Sequence, residues 1–254
     1  MKAEKLLKEI ELIKTPALCE SDNIPVDALV GLPPYYQDDY VTIYNCDSLT
    51  AIVALRPSRD NIIMITDPPY GKQFARGKNA IGRVKEVNEK FENLEWDKAT
   101  PSKEYFDAMF NSSRHQIVFG ANYFWENFYS TNGLIIWDKV VDFNNEASPF
   151  ADCELAWTSF NKVAKIYRLR NQGFVTDVKE EKQHPTQKPE ALMIKILEDY
   201  TTQADIICDP FMGSGTTLVA AKSLGRKAIG MEINQKYCEI AVKRLSYLQT
   251  RLVM

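Results

Sequence analysis

Cysteine is sparse in this chain, and what there is lies scattered. Cys19, Cys46, Cys153, Cys208 and Cys238 form no Cys-x-x-Cys pair. That spacing argues against a disulfide framework and against a zinc site, and fits a reducing cytosol. Long hydrophobic runs are missing too: no apolar stretch approaches the roughly 20 residues needed to cross a bilayer, so no membrane role is expected. The opening MKAEKLLKEIELIK mixes Lys and Glu through its apolar positions, which reads as an amphipathic helix rather than a signal peptide. Strong net charge is absent as well. The formal value of −3 over 254 residues does not advertise a nucleic-acid binder.

What is present is a chain with 45% hydrophobic residues, enough for the core of one large domain. Its charge is unevenly distributed. Residues 20–39 carry Glu20, Asp22, Asp27, Asp38 and Asp39 with no Lys or Arg, whereas 72–90 carry Lys72, Arg76, Lys78, Arg83, Lys85 and Lys90. A second basic run holds Lys162, Lys165, Arg168 and Arg170. Phosphate binding depends on local potential, although ordinary solvated faces explain either run equally well.

Short, β-branched, almost continuously apolar runs predict strands at Val41–Asn45, Ile62–Thr66, Gln116–Phe119, Leu134–Trp137, Asp205–Cys208 and Ala228–Met231. Helical spacing predicts helices over Pro101–Asn111 (with Thr100 as N-cap), Pro189–Tyr200, Thr216–Leu224 ending at Gly225, and from Asn234 onward. ELAWTSF and KVAKIYRL flank Asn161-Lys162 as the arms of a hairpin would. The predicted fold class is therefore α/β, a doubly wound, Rossmann-like, mostly parallel sheet with an antiparallel hairpin at one side. Ligands of such sheets bind outside the carboxyl ends of the strands.

Two strand ends are unusual. After Ile206-Ile207-Cys208 comes DPFMGSGTT at 209–217, a glycine-rich turn leading into a helix. A phosphate loop would need a lysine after Gly215, and a dinucleotide fingerprint would need a third glycine where Leu218 stands. A purely structural turn stays open. The next strand ends on Glu232, placed like the acid that binds ribose hydroxyls in nucleotide-type folds, or else simply a solvated acid. S-adenosylmethionine, a nucleoside without phosphate, fits both features, with Asp209 facing its cationic amino group. The other unusual end is ITDPPYG at 65–71, a buried strand stopped by a carboxylate, two prolines that donate no N–H, and an aromatic ring.

DPPY at 67–70, DPFMGSGTT at 209–217, GMEINQKY at 230–237 and HPTQKP at 184–189 together resemble the amino-methyltransferases of DNA. Their order resembles the permuted, or beta, subgroup, in which the catalytic motif precedes the cofactor loop. The likeness spans about residues 41 to 245 and implies a circularly permuted class I methyltransferase fold. It implies a single domain over 1–254: a helix and acidic extension at 1–40, a catalytic half at 41–170, a very short recognition segment at 171–183 and a cofactor half at 184–254. LPPYY at 32–36 repeats the Pro-Pro-Tyr triplet without an acid or a preceding strand, and reads as a bend.

The resemblance also implies a reaction. Adenine's exocyclic amine is a poor nucleophile because its lone pair is delocalised into the ring. Asp67 and the Pro68 carbonyl would bind its two hydrogens and turn the lone pair toward the methyl donor. Pro68 and Pro69 would fix the backbone, and Tyr70 would stack on the base. Such a site cannot reach into a duplex, so the target must be flipped out. No metal is required. By the same resemblance Asp47 and its neighbour Cys46 border the cofactor's adenine, and Phe211, Gly213, Ser214, Gly215 and Thr216 form its loop. Glu232 and Ile233 follow on the next strand end, and Thr186 and Lys188 lie near the methionine end, Lys188 pairing with the carboxylate. His184 and His115 are read as structural, and Trp137, Asp138 and Lys139 as a strand end that could border the base pocket, with a core role favoured for Trp137.

The short 171–183 interval departs from the subgroup, which usually carries its recognition segment there. This moves attention to 72–95, whose glycines and charges suggest a loop closing over double-stranded DNA through Lys72, Arg76, Lys78 and Arg83. The extension 15–39 is expected to cover a sheet edge or join two protomers. A homodimer and a restriction endonuclease partner are what similar enzymes imply. An N4-cytosine methyltransferase is the nearest rival, although those more often carry Ser where Asp67 stands. RNA or protein-amide methyltransferases, and a catalytically silent nucleic-acid-binding module of the same fold, are further alternatives.

Overall fold

The computed structural model describes residues 31–71, 100–140, 151–172, 175–176 and 187–253. Nine strands make one sheet in the order β1-β2-β11-β10-β3-β4-β6-β5-β7. The strands are β1 (Tyr36–Gln37), β2 (Val41–Asn45), β3 (Ile62–Thr66), β4 (His115–Phe119), β5 (Leu134–Asp138), β6 (Cys153–Thr158), β7 (Lys165–Arg168), β10 (Ile206–Asp209) and β11 (Lys227–Glu232). A separate two-stranded ribbon joins β8 (Asn171–Gln172) to β9 (Val175–Thr176). The block β2-β11-β10-β3-β4 is parallel throughout. Helices α1 (Ser48–Ala54), α2 (Lys103–Ser112), α3 (Glu190–Tyr200), α4 (Thr216–Ser223) and α5 (Gln235–Val253) connect or flank the strands.

The continuous apolar runs have the expected cause. Ile63 and Ile65 of β3 join the core with Leu192 and Ile196 of α3 and Leu218 of α4. Ile62 and Met64, pointing the other way, join Phe106 and Met109 of α2 and Ile52 of α1. Both faces are covered, so alternation has no solvent side to mark. Each such isoleucine contributes roughly 1.5–3 kcal/mol by leaving water.

The hairpin expectation is wrong. β6 pairs antiparallel with β4 on one side and β5 on the other, while β7 pairs parallel with β5. The arms flanking Asn161-Lys162 are thus separated by β5. Local turn chemistry pointed to direct pairing, but β6 instead inserts between its two predecessors. The N-cap of α2 is Ser102 rather than Thr100. Pro101 sits ahead of the helix, and Ser102, extended at φ −70° and ψ 163°, takes the N-cap place. β2 and β3 match expectation to the residue, β4 and β5 differ by one residue at one end, and β10 and β11 by one residue at each end.

Tyr36–Gln37 does cover an edge, pairing antiparallel with β2. Asp38 then receives the backbone N–H groups of Tyr40 and Val41 at 2.8 Å and the ammonium of the buried Lys222. The basic run at 162–168 is largely consumed locally. Lys162 donates to the Asp199 carbonyl, Lys165 to the Asp199 carboxylate at 3.1 Å, and Arg168 pairs with Asp138 at 3.4 Å. Among the described residues no helix is long and apolar enough to cross a membrane.

Candidate active site

At the carboxyl ends of β2, β11, β10 and β3 lies a cavity of about 280 Å³. Cys46 and Asp47 line it after β2, Asp67 and Pro69 after β3, and Lys188 ahead of α3. The turn after β10 contributes Asp209, Phe211, Gly213, Ser214 and Thr216, and the end of β11 contributes Glu232 and Ile233. Cys46 and Ile233, 187 positions apart in sequence, converge because the sheet makes β2 and β11 neighbours, with Glu232 opposite Asn45.

The glycine turn is held from several directions. Met212 donates its N–H to the Met231 carbonyl at 3.2 Å. Glu232 accepts from the N–H of Gly213 at 3.1 Å and of Asn234 at 2.7 Å. Arg244 of α5 reaches back to the Ser214 carbonyl at 2.8 Å and the Thr216 hydroxyl at 3.0 Å. Gly215 does not line the cavity. It is the N-cap of α4 at φ 79°, and a Cβ there would stand 2.7 Å from that of Ala241. Its task is to let α4 approach α5, a tertiary constraint invisible in a Gly-x-Gly pattern.

Asp209 is buried, and its oxygens are already engaged. It accepts from Thr66 at 2.8 Å, Thr217 at 2.6 Å and the Phe211 N–H at 3.1 Å. Burial still pushes its pKa up to about 6, against those hydrogen bonds. Burial likewise pushes Glu232 up to about 7. Asp47 caps α1 through the Leu49 N–H at 2.9 Å and accepts the Tyr105 hydroxyl at 2.8 Å. The Tyr105 ring sits 5.4 Å from that of Phe211, and Ile233 is 66% exposed at the mouth. An apolar slot between rings, with a naked isoleucine at its lip, is the kind of surface a flat heterocycle covers.

Next to this cavity stands the DPPY segment. Asp67 accepts the Tyr70 hydroxyl on Oδ1 and the Lys188 ammonium on Oδ2. Lys188 is also 3.1 Å from Glu154 and lies over the Phe119 ring at 5.1 Å. Glu154 in turn pairs with Lys139. Lys188, expected to pair with the cofactor's carboxylate, is engaged here by the carboxylates of Asp67 and Glu154. Burial raises the Asp67 pKa above its ordinary value, Glu154 adds to this, and Lys188 opposes it. Burial works against the Lys188 ammonium, yet Asp67 and Glu154 outweigh it and hold its pKa above the ordinary value.

The Tyr70 ring lies 4.6 Å from Tyr123 at 31° and 6.0 Å from Phe124. It rests on Gly120, where a Cβ would come within 2.2 Å of the ring. Trp137 is core, its indole N–H on the Leu169 carbonyl at 2.9 Å. His115 stacks on Phe160 at 4.0 Å, away from the cavity. Thr186, His184, Lys72, Arg76, Lys78 and Arg83 lie outside the described residues.

The DNA methylase family profile matches residues 136–243, which hold the glycine turn, Glu232, Glu154 and Lys188. Type II methyltransferases M2.LlaDCHI of Lactococcus lactis subsp. cremoris and M2.DpnII of Streptococcus pneumoniae are 28% and 29% identical, each over 84% of this chain and 92% of theirs. Over residues 136–243 the chain is similar to the DNA methylase family, and over most of its length it is similar to Type II DNA methyltransferases. The chain also matches, at 25% identity and TM-score 0.54, the M1.HpyAVI–SAM complex over 81% of its own length and 98% of that chain. PvuII DNA methyltransferase (cytosine-N4-specific), at 16% identity and TM-score 0.52, shares the fold.

Sequence reasoning missed Tyr105, Gln187, Glu154, Gly120 and Tyr123 around this site. Tyr105 had a signal: it sits beside the core-facing Phe106 on α2, half-buried and aromatic. Glu154 had none, because its strand was assigned the wrong neighbours.

Proposed function

We propose that this protein transfers a methyl group from S-adenosylmethionine to the exocyclic N6 of an adenine turned out of duplex DNA. The observation that carries the reading is the station of Asp67. It lines the cavity and at the same time bonds the Tyr70 ring that borders the neighbouring aromatic space.

The donor set of the cavity fits the cofactor. Glu232 would hold the ribose hydroxyls. Phe211, Tyr105 and Ile233 would flank the adenine beside Cys46 and Asp47, and Gly213, Ser214 and Thr216 would border the methionine end. S-adenosylmethionine supplies an electrophilic methyl on sulfur, the carbon–sulfur bond breaking as the carbon–nitrogen bond forms.

The chain's own residues prepare the nitrogen. Asp67 and the Pro68 carbonyl accept the two amine hydrogens, which favours a pyramidal amine with its lone pair aimed at the cavity. Tyr70 stacks on the base, a contact worth about 1–3 kcal/mol. After transfer the nitrogen carries an extra proton, and the Asp67 carboxylate is the acceptor within reach. Holding both partners in line supplies much of the acceleration. Lys72, Arg76, Lys78 and Arg83 are proposed to meet the DNA backbone.

The test is methyl transfer from labelled cofactor to unmethylated duplex DNA, followed by digestion to nucleosides. The expected label is N6-methyladenine, lost in Asp67→Ala while cofactor binding by calorimetry persists. Label on cytosine N4 would correct the base. Transfer surviving in Asp67→Ala would overturn the mechanism.

A further inference from the structure

Lys188 is one of the few buried lysines of the described residues, and its surroundings are unusual. Its ammonium faces two carboxylates and an aromatic ring: Asp67 Oδ2, Glu154 Oε2 at 3.1 Å, and Phe119 at 5.1 Å. The fourth member, Lys139, closes the chain Asp67–Lys188–Glu154–Lys139. Topology explains the gathering. Asp67 follows the end of β3 and Lys139 follows the end of β5, whereas Glu154 stands near the start of β6. Only an antiparallel strand brings its beginning to the edge where its parallel neighbours end.

Resting on the function proposed above, we propose that Lys188 is a positioning residue for the amine acceptor, and that Glu154 tunes it. Lys188 holds Oδ2 and favours the ionised Asp67, while Oδ1, which takes the Tyr70 hydroxyl in this structure, is the oxygen that turns toward the amine. Glu154 anchors the ammonium and draws off part of its charge. A protonated Asp67 could not accept the amine hydrogen, so this pair sets the lowest pH at which the enzyme works. The charged and titratable groups facing Asp67 are Lys188, Glu154 on β6, Tyr70 on its own segment, and Asp209 on β10, with Lys139 behind Glu154.

The signs are opposite for the two partners. Removing Lys188 deprives the ionised acid of its counter-charge, so the acidic limb of kcat moves to higher pH. Removing the Glu154 charge takes away a like charge and leaves Lys188 to Asp67 alone, so the limb moves to lower pH. An opposite charge this close is worth roughly 1–3 pH units.

The experiment measures kcat against pH for wild type, Lys188→Met, Lys188→Arg and Glu154→Gln with labelled cofactor and saturating duplex DNA, alongside calorimetric binding of S-adenosylmethionine. Expected are a limb displaced upward in Lys188→Met, restored near wild type in Lys188→Arg, and displaced downward in Glu154→Gln, with cofactor affinity little changed. If Lys188→Met does not fold, the downward displacement in Glu154→Gln decides alone. Equal loss at every pH in both variants would make the cluster a mere brace and overturn the proposal. So would a Lys188→Met enzyme with an unmoved limb and cofactor binding weakened tenfold or more, which would give the lysine to the cofactor carboxylate. Wild type transferring no label fails the proposed function itself, a result distinct from an active enzyme whose limb does not move.

Discussion

Gly120→Ala separates the base side of the site from the cofactor side. Gly120 follows β4 at φ 70°, where an L side chain is strained, and its hydrogen faces the Tyr70 ring. A Cβ would meet Tyr70 Cε1 at 2.2 Å, Cζ at 2.6 Å and Cδ1 at 2.9 Å. Real carbons do not approach so closely, so the ring must leave. It has little room, because Tyr123 lies tilted against it at 4.6 Å, Phe124 meets it edge-on at 6.0 Å, and Asp67 takes its hydroxyl. Two costs follow. The left-handed backbone costs about 1–2 kcal/mol of stability, which for a chain of this size lowers Tm by roughly 2–8 °C. Displacing the ring forfeits some or all of a stacking contact of about 1–3 kcal/mol. At 1.4 kcal/mol per tenfold, kcat/KM on DNA falls about 5- to 150-fold. Gly120 does not line the cofactor cavity, so S-adenosylmethionine affinity by calorimetry should stay within about twofold of wild type. A Tyr70→Ala background adds the decisive control: there Gly120→Ala should still lower Tm but take little further activity. A full activity loss on top of Tyr70→Ala, or wild-type kcat/KM in the single variant, would refute the reasoning.

The two raised acids of the cofactor cavity predict a pH dependence of stability. An acid whose folded pKa exceeds its unfolded value binds its proton more tightly when folded. Its contribution is therefore full at low pH and is lost as pH rises through the folded pKa. Glu232, raised from 4.5 to about 7, and Asp209, raised from 3.8 to about 6, should make Tm of the cofactor-free protein decline across those windows. Glu232→Gln should flatten the decline between about 4.5 and 7, and Asp209→Asn between about 3.8 and 6; thermal melts across pH in which neither substitution alters the slope would count against it. Arg244→Ala removes the clasp on Ser214 and Thr216, whose charged hydrogen bonds are worth roughly 1.5–3 kcal/mol. Calorimetry should show cofactor binding weakened by about tenfold or more, and unchanged affinity would mean the turn is held without it.

How much of this was legible depends on the range over which each feature is determined. β2 and β3 were read to the residue, because four or five consecutive apolar positions between polar ends have few other uses. The DPPY and glycine-turn residues were legible because their chemistry is local: a donor-free acid-proline step, and a turn into a helix. Glu154 was not. Its value depends on β6 running antiparallel between β4 and β5, a fact about the whole sheet, and Asn161-Lys162 pointed to the wrong pairing. Gly120 was lost for a related reason, since a glycine before a short turn gives no hint that a ring from another strand end will lie on it. Arg244 was visible only as one residue in the helical spacing of α5, while its partners lie 28 and 30 positions away.

The permuted order of the motifs has little consequence for the chemistry, and the sheet shows why. β3, which leads into Asp67, and β10, which leads into Asp209, are adjacent parallel strands with Met64 opposite Cys208. Parallel neighbours lie about 4.8 Å apart, so the Asp67 segment and the glycine turn leave the sheet side by side. Thr66 donates across that gap to Asp209, so the two strand ends are joined by a buried hydrogen bond at 2.8 Å. Chain order decides which loop connects the strands, not which strands touch. The same adjacency explains why Asp209 spends its oxygens on Thr66, Thr217 and the Phe211 N–H. On the proposed function, an acid fixed by three donors at the seam between these two strand ends would help set the distance across which a methyl group must pass.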